Sequence, residues 1–278
     1  MDLITVIIPT YNRENTITKS VMSVLSQSYK EIELIVVDDG STDDTISNLK
    51  NIDDSRLHIE HQAHQGACAA RNLGIKLARG KYIAFQDSDD EWLPNKLTEQ
   101  LSNLKLHDSD IDFCSMKTYS KEKNYITPNF PINNSFNLEE KLLISNFIST
   151  QMLLVKKKCF DKVKFDESFP RFQDWDLLLT LCQKYKLSHT DSILVKQYIS
   201  NDSISNNIAK ANDAYEQLET KYSSLYSHYP RSYAKFLYNW SLHCKKYLTK
   251  KDQRNILALS LKYSLSLKTV MRFIETYL

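Results

Sequence analysis

Residues 82–90 read YIAFQDSDD: four apolar or aromatic residues, a glutamine, then three carboxylates around Ser88. A short apolar run that stops at acidic residues reads as a buried strand meeting a polar loop. The same pattern occurs twice upstream. Ile4–Ile8 is almost wholly apolar and ends at Pro9-Thr10-Tyr11-Asn12-Arg13, and Ile32–Val37 ends at Asp38-Asp39-Gly40. Between these strands, Ile17, Val21, Val24 and Leu25 recur at helical spacing. Ser41 with Asp44 resembles a capping box that would open a second helix. Leu57–Glu60 reads as a third strand and Ala67–Ala78 as a helix with Gly80 as its stop. Strand–helix alternation over about ninety residues means a parallel sheet with helices on both faces, an α/β fold. Ligands of such sheets bind beyond the carboxyl ends of the strands. Thr10–Arg13, Asp38–Gly40 and Asp87–Asp90 each follow a strand directly, so all three are expected at one edge.

After residue 110 the pattern loosens. Ile111–Met116 and Met152–Val155 read as strands, and Leu138–Phe147 and Asp174–Tyr185 as helices. Residues 119–137, with Pro128 and Pro131, read as a long loop. From about residue 205 the chain reads as helices rich in Tyr and Lys. The expected division is a domain over 1–200 and a helical appendage over 201–278.

The formal net charge of +2 excludes a strongly basic nucleic-acid binder. It hides an asymmetry: residues 1–199 carry 24 Lys/Arg and 28 Asp/Glu, and residues 200–278 carry 12 and 6. The five cysteines form no CxxC pair and no metal-type spacing, which fits a reduced cytosolic setting with most of them in the core. Met1-Asp2 leads straight into a strand-like segment without signal-peptide features. No apolar run approaches the ~20 residues of a membrane span. His58, His61 and His64 fall in a strand-to-loop segment and form no ligand set. No P-loop, G-x-G-x-x-G or G-x-S-x-G occurs.

Asp87 and Asp89 on one turn offer hard oxygen ligands, suited to Mg²⁺ or Mn²⁺ when a diphosphate and water supply the rest. Asp39 can accept from a nucleobase N–H or a ribose hydroxyl, or serve a turn and helix start. Tyr11 can stack on a base, and Arg13 and Arg71 can pair with phosphate. Asp174, near a helix start, can act as general base or simply oppose the helix dipole.

These clusters resemble the family 2 glycosyltransferases, bacterial enzymes with the GT-A fold. The matching text is VIIPTYNRENTI at 6–17, ELIVVDDGSTDDT at 33–45, QGACAARNLGIKLARGKYIAFQDSDDEWLP at 65–94 and FDESFPRFQDWDLLLTL at 165–181. The resemblance implies a Rossmann-like GT-A domain that moves a sugar from a nucleotide-sugar, usually a UDP-sugar, to an acceptor hydroxyl with inversion, as in surface-polysaccharide synthesis. It implies that Thr10, Tyr11 and Asp39 contact the base, that Arg71 lies near base and diphosphate, and that Arg13 and Ser88 belong to the nucleotide site. Asp87 would contact ribose or help the metal, Asp89 would be the main metal ligand, and Asp174 the base. Two departures stand out: relatives often carry Glu-Asp where this chain has Gln173-Asp174, and the glycine pair common before F-D-E is absent. The expected acceptor is a saccharide or a lipid-linked molecule. The basic, Tyr-rich C-terminal region suits either a membrane interface on the inner face of the cell membrane or packing, on the domain or in a homo-oligomer. A non-catalytic nucleotide-sugar-binding subunit is the alternative, and nucleotidyltransferase and glycoside hydrolase chemistries fit less well.

Overall fold

The computed structural model describes residues 1–132, 137–199 and 208–277. The chain divides into two compact units. The first is Met1–Asn134, Ile148–Glu167 and Thr180–Asn201, and the second is Ser135–Phe147, Ser168–Leu179 and Asp202–Leu278. The boundary expected at 200/201 lies outside the described residues.

The first unit runs β1 (Ile4–Thr10), α1 (Ile17–Leu25), β2 (Ile32–Asp38), α2 (Thr45–Lys50), β3 (Leu57–His61), α3 (Ala67–Leu77), β4 (Tyr82–Phe85), β5 (Glu91–Trp92), α4 (Lys96–Leu106), β6 (Ile111–Tyr119) and β7 (Tyr125–Thr127). Its β8 (Leu153–Lys156) and β9 (Leu187–Tyr198) follow later in the chain. Among the described residues these strands form one sheet in the order β3-β2-β1-β4-β8-β6-β9-β5, with β7 on β6. β1 and β2 are buried at every position, which is why their sequences lack alternation. β3, β2, β1 and β4 are parallel, as the alternation predicts. Beyond β4 the sheet is mixed, because β8 runs antiparallel to both β4 and β6. Four cysteines, Cys68, Cys114, Cys159 and Cys244, are buried as expected.

Several local expectations are corrected. The second helix opens at Thr45 with Asp44 before it and no side-chain cap, and Ser41 instead accepts the Asn12 N–H at 2.9 Å. The helix at 138 ends at Leu142. The helix expected over 174–185 is Gln173–Cys182. The long loop at 119–137 contains β7, and its residues 133–136 lie outside the described residues. α3 ends at Leu77, before Gly80, which is small for another reason: a Cβ there would stand 2.5 Å from the Thr5 nitrogen. β9 went unread because its pairing with β6 shifts register at Cys114/Ser115 and Ser115/Met116, and a bulge destroys the two-residue alternation.

In the second unit, α5 (Leu138–Leu142) and the start of α6 (Gln173–Cys182) accompany α7 (Ile208–Lys221), α8 (Ser223–His228), α9 (Pro230–His243), α10 (Lys250–Tyr263) and α11 (Leu267–Glu275). Pro230 opens α9, where a missing N–H costs nothing, and a Thr249–Asp252 capping box opens α10. The core is aromatic: Trp175, Tyr215, Phe236 and Trp240 meet edge-on or stacked. Tyr215, Tyr222 and Tyr226 are buried there, so part of the tyrosine enrichment serves packing. Burial holds the Tyr226 phenol well above its ordinary value.

Candidate active site

The carboxyl ends of β1, β2 and β4 meet at one edge of the sheet in the first unit. Thr10 is in register with Asp38, and Ile7 with both Ile35 and Phe85. Asp39 follows β2, and its N–H donates to the Thr10 carbonyl at 2.8 Å. Gln86 donates its N–H to the Ile7 carbonyl at 3.0 Å, which sets Asp87-Ser88-Asp89 just beyond the sheet. The Asp90 N–H closes that turn on the Asp87 carbonyl at 3.2 Å, and Ser20 of α1 ties the same carbonyl down at 2.8 Å.

Asp39 is buried and heavily used. One carboxylate oxygen accepts from the Gln62 amide and the Gln65 N–H, both at 2.7 Å, and the other from the Gly66 N–H at 2.8 Å. About four lone-pair positions exist on a carboxylate, and the fourth is faced by His64 Nδ1 at 3.2 Å, an exposed ring that a further donor would displace. Gly66 takes φ 94°, a conformation that favours glycine, to aim its N–H while starting α3. Tyr11 is exposed and leans on His64, ring centroids 4.3 Å apart. His61 and His64 pair with Asp38 and Asp39, which accounts for histidines that form no metal set. Thr10 is buried, and its hydroxyl has no hydrogen-bond partner among the described residues.

Asp87 and Asp89 of the acidic turn each face a guanidinium. Arg71, on the first turns of α3, donates to Asp87 at 2.9 Å and lies 5.5 Å over the Phe165 ring. Its buried Nε lacks a partner among the described residues. Arg13 holds its Nε 3.6 Å from Asp89 and donates to the Asn12 carbonyl at 3.0 Å. Asn12 itself is left-handed, φ 49°, a conformation asparagine tolerates. Burial raises the Asp89 pKa, the Asp87 charge raises it further, and Arg13 opposes both. Two carboxylates that repel each other in a partly dry turn are suited to a divalent cation. Among the described residues no group of three or more His, Cys, Asp or Glu side chains is placed to hold one. A metal bound by Asp87 and Asp89 would therefore draw its other ligands from a diphosphate and water, as Mg²⁺ commonly does.

Sequence reading missed Asp90. It is buried, accepts from Gln151 at 2.6 Å and from the Tyr198 N–H at 2.7 Å, and belongs to the scaffold rather than the metal set. Burial, then the Asp87 charge, push it up to about 8. Its partners lie 61 and 108 residues away, on elements that local patterning did not resolve. Gln62 and Gln65 were missed for the same reason: loop glutamines carry no signature.

Asp174 lies in the second unit, in the first turn of α6. That turn is firmly held. Trp175 donates to the Leu142 carbonyl at 2.6 Å, and Asp176 pairs with Lys221 and accepts from the Tyr222 hydroxyl, each at 2.8 Å. Phe172 just ahead has φ 62°, costly for a bulky side chain. Its ring is wedged against Trp175, Tyr215 and His243, with Arg171 stacked at 4.9 Å, so the packing enforces the strain.

An α/β sheet with acidic, arginine-paired loops at its carboxyl edge belongs to the class whose ligands sit beyond the strand ends. The profile of "Glycosyl transferase family 2" matches residues 5–164, more than half of the chain, and the chain belongs to that family. An Escherichia coli relative, the UDP-Glc:alpha-D-GlcNAc-diphosphoundecaprenol beta-1,3-glucosyltransferase WfaP, is 42% identical over 127 residues, 45% of this chain and 49% of its own. An uncharacterised Haemophilus influenzae glycosyltransferase is 32% identical, over 76% of this chain and 85% of its own. The chain thus spans about half of WfaP, and about a third of similar Rickettsia glycosyltransferases. Staphylococcus aureus TarS crystallised with UDP-GlcNAc has the same fold, with TM-score 0.73 and 20% identity over 99% of this chain and 89% of that one. The mannosyltransferase PcManGT of Pyrobaculum calidifontis, solved with GDP-Man and Mn²⁺, gives TM-score 0.67 at 16% identity, over 99% and 79%. The fold is GT-A, with a helical C-terminal region.

Proposed function

We propose that this chain transfers a sugar from a nucleotide-sugar, UDP being the favoured nucleotide, to an acceptor hydroxyl with inversion. The observation that carries this is the gathering of Thr10, Asp39, Arg71 and Asp87-Ser88-Asp89 at one sheet edge, with two arginines set against two carboxylates. Thr10, Tyr11 and Asp39 receive the base, with Tyr11 stacking and Asp39 accepting. Arg13, Arg71 and Ser88 hold the diphosphate and ribose side, and Asp87 and Asp89 hold a divalent ion, Mn²⁺ or Mg²⁺. Such an ion supplies charge neutralisation for a diphosphate leaving group. Asp174 is the base: its carboxylate takes the acceptor proton as the acceptor oxygen bonds to the anomeric carbon. The bond from that carbon to the diphosphate oxygen breaks, and the electron pair leaves with the nucleoside diphosphate. Arginine is suited to this duty because it stays charged and presents paired donors to phosphate.

Residues 1–200 form the catalytic domain and 201–278 an appendage that packs on it, binds a second copy, or meets a membrane. The acceptor is a saccharide on a polyprenyl diphosphate lipid, used in surface-polysaccharide synthesis at the inner face of the cell membrane. The name of WfaP, which is 42% identical over the matched stretch, supports the lipid-linked acceptor and a UDP-hexose donor. The titles of TarS with UDP-GlcNAc and PcManGT with Mn²⁺ support the nucleotide-sugar and the metal.

Thermal unfolding with UDP, GDP, CDP and TDP, with and without Mn²⁺, tests the site. Saturation at a hundred times Kd gives about 2.7 kcal/mol of stabilisation, or roughly 2–4 °C for each kcal/mol. The expected result is a Mn²⁺-dependent shift with UDP that Asp89→Ala abolishes. Turnover of a UDP-sugar with a lipid-linked acceptor should then be lost in Asp174→Asn while the UDP shift persists. UDP binding without turnover on any acceptor would favour a non-catalytic subunit, and no shift with any nucleotide would end the transferase reading.

A further inference from the structure

α11 packs one face on α10: Thr269 and Thr276 are buried, and Arg254 of α10 lies 4.7 Å over the Tyr277 ring. The other face is apolar and bare. Leu267, Met271 and Ile274 are 76%, 58% and 54% exposed, and their i, i+4, i+7 spacing makes them one stripe. Leu265 and Tyr277, also exposed, extend the apolar surface at either end. Monomeric soluble proteins seldom leave a continuous apolar stripe uncovered.

The charge around the stripe identifies its occupant. Residues 229–278 carry ten Lys/Arg against two Asp/Glu. Of those two acids, Glu275 is paired with Arg272 at 2.6 Å and Asp252 is engaged in its helix cap. Lys268 on α11 and Lys262 in the last turn of α10 are exposed. Lys250 and Lys251 are also exposed, one turn before the Arg254 that meets Tyr277. A short helix with an apolar face and a lysine border is built to lie in the plane of an anionic lipid surface.

We infer that α11 is an in-plane anchor that seats this unit on an anionic membrane, with Leu267, Met271 and Ile274 entering the headgroup boundary and the neighbouring lysines meeting lipid phosphate. For its purpose, presenting the chain to a lipid-linked acceptor, the inference rests on the proposed function. The binding itself is measured without donor or acceptor.

The test is flotation of the full chain with phosphatidylglycerol/phosphatidylcholine vesicles and with phosphatidylcholine alone. The wild type should float with the anionic vesicles, at least tenfold less with neutral ones, and less as salt rises. Leu267→Glu/Met271→Glu/Ile274→Glu should lose at least tenfold while keeping the UDP–Mn²⁺ thermal shift. A milder variant, Ile274→Trp, should blue-shift its emission on anionic vesicles. The anchor is overturned if the wild type stays unbound, if the triple variant floats equally, or if the stripe proves a dimer interface, with a dimer that the triple variant dissociates. Loss of the nucleotide shift in the wild type, with flotation intact, would sink the transferase reading and leave the anchor standing.

Discussion

Gly74 lies in α3, three residues after Arg71, against the central strand β1. A Cβ at position 74 would stand 2.5 Å from Ile7 Cγ2, 3.0 Å from Cγ1 and 3.1 Å from Cδ1. Ordinary carbon–carbon contact is about 3.5–4.0 Å, so Gly74→Ala pushes helix and strand apart by about 1–1.5 Å or forces Ile7 off its rotamer. Ile7 is fully buried, and its two γ-carbons leave only one χ1 position empty, so rotation trades one close contact for another. Overpacking of this kind costs about 1–3 kcal/mol. Alanine also gains about 1 kcal/mol over glycine in a helix interior. The net expectation is destabilisation of up to about 2 kcal/mol, with Arg71 shifted relative to Asp87 and weaker UDP binding. A double-mutant cycle isolates the contact. Ile7→Ala alone should cost about 2–5 kcal/mol through its cavity, but in that background Gly74→Ala should become neutral or stabilising. Urea unfolding of the four proteins measures this. If Gly74→Ala has the same effect beside Ala at position 7 as in the wild type, the helix–strand contact does not set the requirement for glycine.

Other perturbations report on separate parts of the molecule. Asp39→Asn presents an NH₂ to either Gln65 N–H or Gly66 N–H, and should cost about 1–3 kcal/mol in thermal unfolding; an unchanged midpoint would mean the loop does not hang on this carboxylate. Lys96 is fully buried between the Gln100 amide at 2.6 Å and the Trp92 ring at 4.1 Å, and burial lowers its ammonium to about 8. The unfolded lysine, near 10.4, binds more protons than the folded one between those values, so this group adds stability as pH rises from about 8 to 10, roughly 3 kcal/mol in all. Lys96→Met should flatten that slope in urea unfolding followed across pH, and an unaltered slope would refute the assignment. Asp176→Ala removes the carboxylate that pairs with Lys221 and accepts from the buried Tyr222 hydroxyl, while that hydroxyl keeps the Asp176 backbone carbonyl at 2.8 Å. Since Lys221 is partly exposed, its pair counts for little, and the loss by urea unfolding should be about 1 kcal/mol; a loss above about 3 kcal/mol would mean the carboxylate does more than these two contacts.

Legibility followed the range of the interactions. β1, β2 and β4 announced themselves because both faces of each are buried, and buried strands require unbroken apolar runs. The acidic turn was legible because polar residues stop such a run at its carboxyl end. β9 was not, since two register shifts break its alternation. The division of the chain was also hidden: residues 135–147 and 168–179 cluster with the C-terminal helices, a partition made by contacts with no local pattern.

By itself the sequence determined a parallel strand–helix core over the first ninety residues, the placing of Thr10, Asp39 and Asp87–Asp89 at its edge, and the family; the strand order came from the structure. Local hydrophobic period and strand ends are sufficient for these. Only the tertiary structure decided which carboxylates are committed to the scaffold and which face an arginine: Asp90 to Gln151 and Tyr198, Asp176 to Lys221 and Tyr222, Asp87 to Arg71 and Asp89 to Arg13. A carboxylate's duty depends on what burial brings within hydrogen-bonding distance, and most of those partners are 16 to 108 residues away in the chain.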